Sequence, residues 1–189
     1  MTPPTILGIV GNPRPESRTH NLCRTLVRAL SAALPGGAET DEVDLAVLGP
    51  RALDPADADA IAAVERVLAA DVLVLASPTY KATYSGLLKG FLDRLGTGAL
   101  GGAPAVPIML GCAPDHRLAI DVHFTPLLLE LGASAPVRGL FVLESETEDF
   151  AARAQAWVAE HHGALFGPIT SCAASPSPAL SGAAGSTVS

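Results

Sequence analysis

The chain has 189 residues, with 19 acidic against 12 basic side chains, a net charge of −7 and 49% hydrophobic content. That length suits one domain with a full core. The acidic balance argues against a nucleic-acid surface, and no apolar run reaches the roughly 18–20 residues that a membrane helix needs.

Residues 1–10 lack a basic leader and run into a strand pattern, so no signal peptide is expected. Cys23, Cys112 and Cys172 are odd in number and far apart. With no CxxC pair and no zinc spacing, reduced thiols in the cytoplasm and no metal site are expected.

The first predicted element is a buried strand over residues 5–10. A loop and then a helix over residues 18–34 follow, with Leu22, Leu26, Val27 and Leu30 at helical spacing. The run Pro35-Gly36-Gly37 ends that helix. Residues 39–45 alternate in polarity as a weaker strand, and residues 48–56 read as a loop of turn formers. A helix over residues 57–70 carries Ile61, Val64, Val67 and Leu68 as its expected buried stripe. Residues 71–76 form a second strongly buried strand and residues 85–95 a helix. After the glycine-rich residues 96–104 come a strand at 105–110 and a helix at 115–131, kinked at Pro126. A strand at 137–143 and a helix at 147–166 complete the pattern, with Phe150, Ala154, Trp157, Val158 and Leu165 facing inward.

Five strand–helix repeats predict an α/β fold, a five-stranded parallel sheet in the flavodoxin-like order 2-1-3-4-5 with helices on both faces. Residues 1–170 are expected to be one domain. Residues 171–189 hold only small or uncharged residues and are expected to be a disordered tail.

In such a sheet, ligands bind at loops following the carboxyl ends of strands. The first is Gly11-Asn-Pro-Arg-Pro-Glu-Ser-Arg-Thr-His20. A helix start offers free N–H groups, Asn12, Ser17, Thr19 and Asn21 add donors, and Arg14 adds a fork suited to phosphate. Neither GxxxxGK[ST] nor GxGxxG is present, so the donor set suits one terminal phosphate rather than a triphosphate or dinucleotide. The same residues also read as a plain capped helix start. His20 is expected to be exposed and without a catalytic role.

The second loop is Ser77-Pro-Thr-Tyr-Lys-Ala-Thr-Tyr-Ser-Gly-Leu-Leu-Lys89. Pro78 fixes the backbone, Thr79 offers hydrogen bonds and Tyr80 an apolar face; Lys81 either contacts a ring edge or is solvated. A third loop starts at Gly111, which permits close backbone approach. Its Cys112 has no base at a fixed spacing and reads as a packed residue. Together the loops point to bound flavin mononucleotide (FMN), with the flavin carrying the chemistry and no catalytic side chain required.

On those two motifs, Gly11 to Thr19 and Ser77 to Lys89, the chain resembles the NADPH-dependent FMN reductase family, closest to the branch that supplies reduced FMN to alkanesulfonate monooxygenases. The resemblance spans about residues 5–145. It implies FMN with NADPH or NADH, a homodimer or homotetramer, and a flavin-dependent monooxygenase as partner. It places Asn12, Arg14, Ser17, Thr19 and Asn21 on the flavin phosphate, and Pro78, Thr79, Tyr80, Lys81 and Gly111 near the ring. The family usually has Ser where Asn12 stands. The branch's interface helix often carries an inserted aromatic residue, where this chain has Val122 beside His123 and Phe124. Rival readings are an FMN-containing quinone, azo-dye or metal-oxyanion reductase, a non-enzymatic electron carrier, and a partner-binding module without flavin.

Overall fold

Four apolar runs and one charged run become five parallel strands. In the computed structural model, which describes residues 2–174, these are β1 (Thr5–Val10), β2 (Glu39–Asp44), β3 (Val72–Pro78), β4 (Ala105–Gly111) and β5 (Leu140–Leu143). They pair in the order β2-β1-β3-β4-β5, the flavodoxin-like order expected from the sequence. The helices are α1 (Arg18–Ala33), α2 (Leu45–Leu48), α3 (Ala58–Ala69), α4 (Gly86–Leu92), α5 (Thr125–Glu130) and α6 (Phe150–Ala174).

Strand side chains alternate between two cores. Ile6, Val10, Val72, Val74, Val106 and Ile108 pack with α1 and α6. Leu7, Ile9, Leu73, Leu75 and Met109 pack with α3, α4 and α5 on the other face. Burying each such side chain contributes about 1.5–3 kcal/mol. Gly8 lets α1 approach closely, since a Cβ there would lie 2.8 Å from Cys23 Sγ.

Several expectations need correcting. Residues 48–56 are not irregular: α2 and a 3-10 helix, Gly49–Leu53, occupy most of them. The buried stripe of α3 is Ala60, Ala63 and Val67, while Ile61 and Leu68 are exposed. The helix expected over 115–131 is three pieces: a 3-10 turn (Pro114–Arg117), a π turn (Ile120–Phe124) and α5. Pro126 lacks an N–H, and the Thr125 N–H bonds Ile120 O to close the wider turn. The strand expected from residue 137 begins at Leu140, and α6 begins at Phe150 after a 3-10 turn, Glu144–Glu146. Of the predicted tail, residues 171–174 belong to α6 and the remainder lies outside the described residues.

Both sheet edges are covered by arginines. On β2, Arg66 Nη2 donates to Glu42 O at 2.6 Å, and its Nε donates to Asp41 Oδ2 at 2.7 Å. On β5, Arg153 Nη2 donates to Phe141 O at 2.9 Å.

One buried serine joins the two loops at the carboxyl end of the sheet. The Ser85 hydroxyl donates to Gly11 O and accepts from Leu88 N at 3.1 Å, capping α4. The Ser85 N–H donates to Ser77 Oγ at 2.8 Å.

Ser85→Ala removes the cap and leaves buried groups unpaired, so the urea midpoint should fall by the equivalent of about 1–2 kcal/mol at constant slope. The Arg66 hydrogen bond holds the Asp41 carboxyl below its ordinary range. Its stabilisation is therefore present above the ordinary aspartate value and is lost as pH falls through the folded value. Asp41→Asn should flatten the acid limb of the stability–pH curve.

Candidate functional site

The first loop is organised by its own side chains. Gly11 N donates to Ala76 O at 2.7 Å, continuing the β1–β3 pairing. A Cβ on Gly11 would lie 2.5 Å from Leu88 Cβ, so α4 requires glycine there. Buried Asn12 accepts from Arg14 N at 2.9 Å and donates to Thr19 Oγ1 at 3.1 Å. Ser17 caps α1, its hydroxyl accepting from His20 N at 3.2 Å. Just before it, Glu16 sits in the left-handed region at φ 49°.

The second loop is a tight hairpin. Thr79 N donates to Leu110 O at 2.7 Å, and Tyr80 and Thr83 exchange backbone hydrogen bonds of 2.9 and 3.2 Å. The two residues between them, Lys81 (φ 52°) and Ala82 (φ 62°), are both left-handed. That geometry favours Asn-Gly, so this turn stores strain at two non-glycine positions.

The loops enclose a crevice of about 460 Å³ lined by Asn12, Arg14, Ser17, Thr19, Pro78, Thr79, Tyr80 and Gly111. Eight of the ten predicted residues thus meet there. Asn21 does not: it is exposed and faces a separate groove with Thr25, Thr147 and Phe150, because it lies one residue too far round α1. Lys81 stands exposed at the hairpin tip and lines no part of the crevice. Sequence reasoning missed Pro15, Glu16, Arg18, Leu110 and Glu144, and it read Cys112 as packed although it is exposed on the crevice wall. The Arg18–Glu144 ion pair, 3.0 Å, joins the start of α1 to the end of β5. Its residues are far apart in sequence, and only the fold brings them together.

Two features equip the crevice for an anion beside a polar ring edge. Arg14 is held through its backbone N–H, and among the described residues its guanidinium has no hydrogen-bond or ion-pair partner. Thr79 Oγ1 is a buried hydroxyl with no hydrogen-bond partner. The Ser17 hydroxyl accepts from the helix and retains its proton for donation outward. Tyr80, 45% exposed, presents an aromatic face. These donors fit a phosphomonoester carrying a planar ring, so the residues present fit FMN.

Beneath the first loop, His20 is buried at 3% exposure, contrary to expectation. Its Nε2 lies 2.7 Å from Glu42 Oε1, and its Nδ1 lies 3.7 Å from Asp44 Oδ2 and 3.8 Å from Glu16 Oε1. Burial raises the Asp44 carboxyl above its ordinary range. Burial, with Glu42 and Asp44 nearby, pushes the Cys23 thiol up strongly, so that thiol is an unreactive core group. Among the described residues no group of side chains could hold a metal ion, and no helix is long and apolar enough to cross a membrane.

Residues 4–148 match the family model described as NADPH-dependent FMN reductase. The chain is 33% identical over 153 residues to the FMN reductase (NADPH) of Escherichia coli (strain K12), covering 79% of this chain and 78% of that protein. It is 32% identical over 140 residues to the NADH-dependent FMN reductase SfnF of Pseudomonas putida, covering 72% and 75%. The crystal structure of the apo form of an NADH:FMN oxidoreductase (EMOB) superposes with a TM-score of 0.71 at 31% identity, covering 82% of this chain and 87% of that one.

Relaxing the hairpin strain should be measurable: Ala82→Gly should raise folding stability by about 0.5–1 kcal/mol, after allowing for the looser unfolded chain. A drop in the denaturation midpoint would show that the turn carries no strain.

Proposed function

The chain belongs to the NADPH-dependent FMN reductase family, oxidoreductases that use FMN with NADPH or NADH, and from that premise we propose how its own residues serve the reaction. The carrying observation is one crevice, between the loops after β1 and β3, that holds both an unpaired guanidinium and an unpartnered buried hydroxyl.

In this reading Arg14 forks onto the flavin phosphate, and the Ser17 hydroxyl donates to it beside the first turn of α1. Asn12 acts mainly by shape, since both ends of its side chain already hold the loop. The Thr79 hydroxyl bonds the polar edge of the ring, Pro78 and Tyr80 supply its apolar bed, and Gly111 lets the β4 backbone approach. Bound FMN supplies the ring whose N5 accepts a hydride from the nicotinamide. No side chain of this chain is assigned a proton transfer; its residues would hold and orient the ring. Neither Asn21 nor Lys81 is proposed as a flavin contact.

The reduced flavin is proposed to leave for a flavin-dependent monooxygenase. Support comes from the resemblance of the second loop to the branch that does so. We further propose a single cytoplasmic reductase domain over residues 1–170 that assembles as a homodimer or homotetramer. Leu118, Val122 and Leu129, exposed on and beside the π turn and α5, suit a face for a second copy.

The purified chain should oxidise NADPH or NADH at 340 nm only when FMN is added. A yellow protein that turns over without added FMN would indicate a retained flavin and another electron acceptor. A yellow protein inert towards both nucleotides would indicate an electron carrier. Arg14→Ala should raise the FMN KM by about tenfold, the worth of one charge-assisted contact, with kcat little changed. An unchanged KM would refute the phosphate assignment.

A further inference from the structure

The carboxylates beneath the phosphate loop pose an electrostatic problem. Glu16, Glu42 and Asp44 converge under the segment that holds an anionic ligand, and Glu16 also lines the crevice. Asp44 is nearly buried, Glu42 half-buried and Glu16 exposed, so, left uncompensated, Asp44 and Glu42 would repel a phosphate with the least screening. His20 stands between them. It is the fourth residue of the cap at Ser17, and its backbone N–H is bound to the Ser17 hydroxyl. Its ring is almost fully enclosed, with Nε2 on Glu42 and Nδ1 directed between Asp44 and Glu16. Nδ1 has no hydrogen-bond partner of its own.

Two arginines approach this cluster from outside it. Arg24 reaches Glu42 from the solvent side at 3.9 Å, and Arg66 is bound to Asp41 and to the Glu42 carbonyl. Cys23, three residues further along α1, is a buried neutral thiol. Among the described residues, His20 is the buried group able to supply positive charge to the cluster, while Arg24 adds a longer, solvent-exposed pairing to Glu42.

We propose that His20 is a positioning residue for flavin phosphate: its imidazolium neutralises the Glu16–Glu42–Asp44 cluster and fixes the first turn of α1 to β2, so that the loop after β1 accepts an anion. Nε2 is within hydrogen-bond distance of a Glu42 oxygen, and Nδ1 lies at ion-pair distance from Asp44 and Glu16, so a charge on the ring would meet three carboxylates. His20 touches neither the flavin nor the nicotinamide. The inference rests on the reading of that loop as the phosphate site.

The test is equilibrium binding, read by quenching of flavin fluorescence, with FMN and riboflavin compared. Riboflavin has the same ring without the phosphate. The native chain should prefer FMN; equal affinity for the two would refute the phosphate-site reading itself. Given that preference, His20→Gln keeps a neutral donor in place and should reduce the FMN-to-riboflavin affinity ratio by about tenfold, the effect of one charge at short range in a protein interior. Riboflavin affinity should be unchanged. The double variant His20→Gln, Glu42→Gln removes one charge of each sign and should recover most of the ratio. A ratio unmoved by His20→Gln, or FMN and riboflavin affinities falling together, would overturn the proposal. Should His20→Gln fail to fold, Asp44→Asn serves: it keeps the cap on Ala46 N while removing a negative charge, and the ratio should rise. An unchanged ratio there would also overturn it.

Discussion

The site depends on one buried hydroxyl bridging two loops that are 74 residues apart in sequence. Ser85 uses its proton on the Gly11 carbonyl, its lone pair on Leu88 N–H and its own amide on Ser77. In a parallel sheet the strand ends are separate, and nothing in the backbone ladder fixes one loop against another. This contact does so where β1 and β3 lie side by side. It needs glycine at position 11, because any side chain there would displace Leu88 and the helix that Ser85 caps. Loop geometry, helix start and crevice wall are thus set by the same few atoms.

The sequence revealed those parts of the molecule whose cause is local. The uninterrupted apolar runs of β1, β3 and β4 announced strands buried on both faces, and five alternating strand–helix units suited the parallel order that the sheet adopts. The crevice was legible because Gly11, Ser17, Pro78 and Gly111 are residues with narrow backbone uses. What escaped has non-local causes. His20 looks like any surface histidine on a helix start until β2 is paired beside it, bringing Glu42 and Asp44 to its ring. The outward turn of Ile61 and Leu68 depends on which face of α3 the fold covers, which helical spacing alone leaves open when alanines can fill the inner face. The π turn at Ile120–Phe124 needs a proline two residues beyond it, and a wheel drawn at 3.6 residues per turn misses that change of pitch.

Charge is arranged at two scales that oppose each other. The whole chain is acidic, so distant anions gain nothing from its overall field. Under the proposed reading, selection for an anion would be local, through the Arg14 guanidinium, which has no carboxylate partner among the described residues, where most arginines have one. Arg18, at the same crevice, is already committed to Glu144, which ties the end of β5 to the start of α1. One cation is thus available for binding while its neighbour braces the wall.

The arginines on the two outer strands limit how copies of this chain can meet. An open sheet usually invites growth at its edges, since unpaired carbonyls can accept a strand from another molecule. Here Arg66 occupies the Glu42 carbonyl on one side and Arg153 the Phe141 carbonyl on the other. Strand-to-strand extension would first have to break charge-assisted hydrogen bonds at both margins. Contact through helical faces meets no such obstacle, so crowding of this protein should disfavour edge-to-edge growth of its sheet.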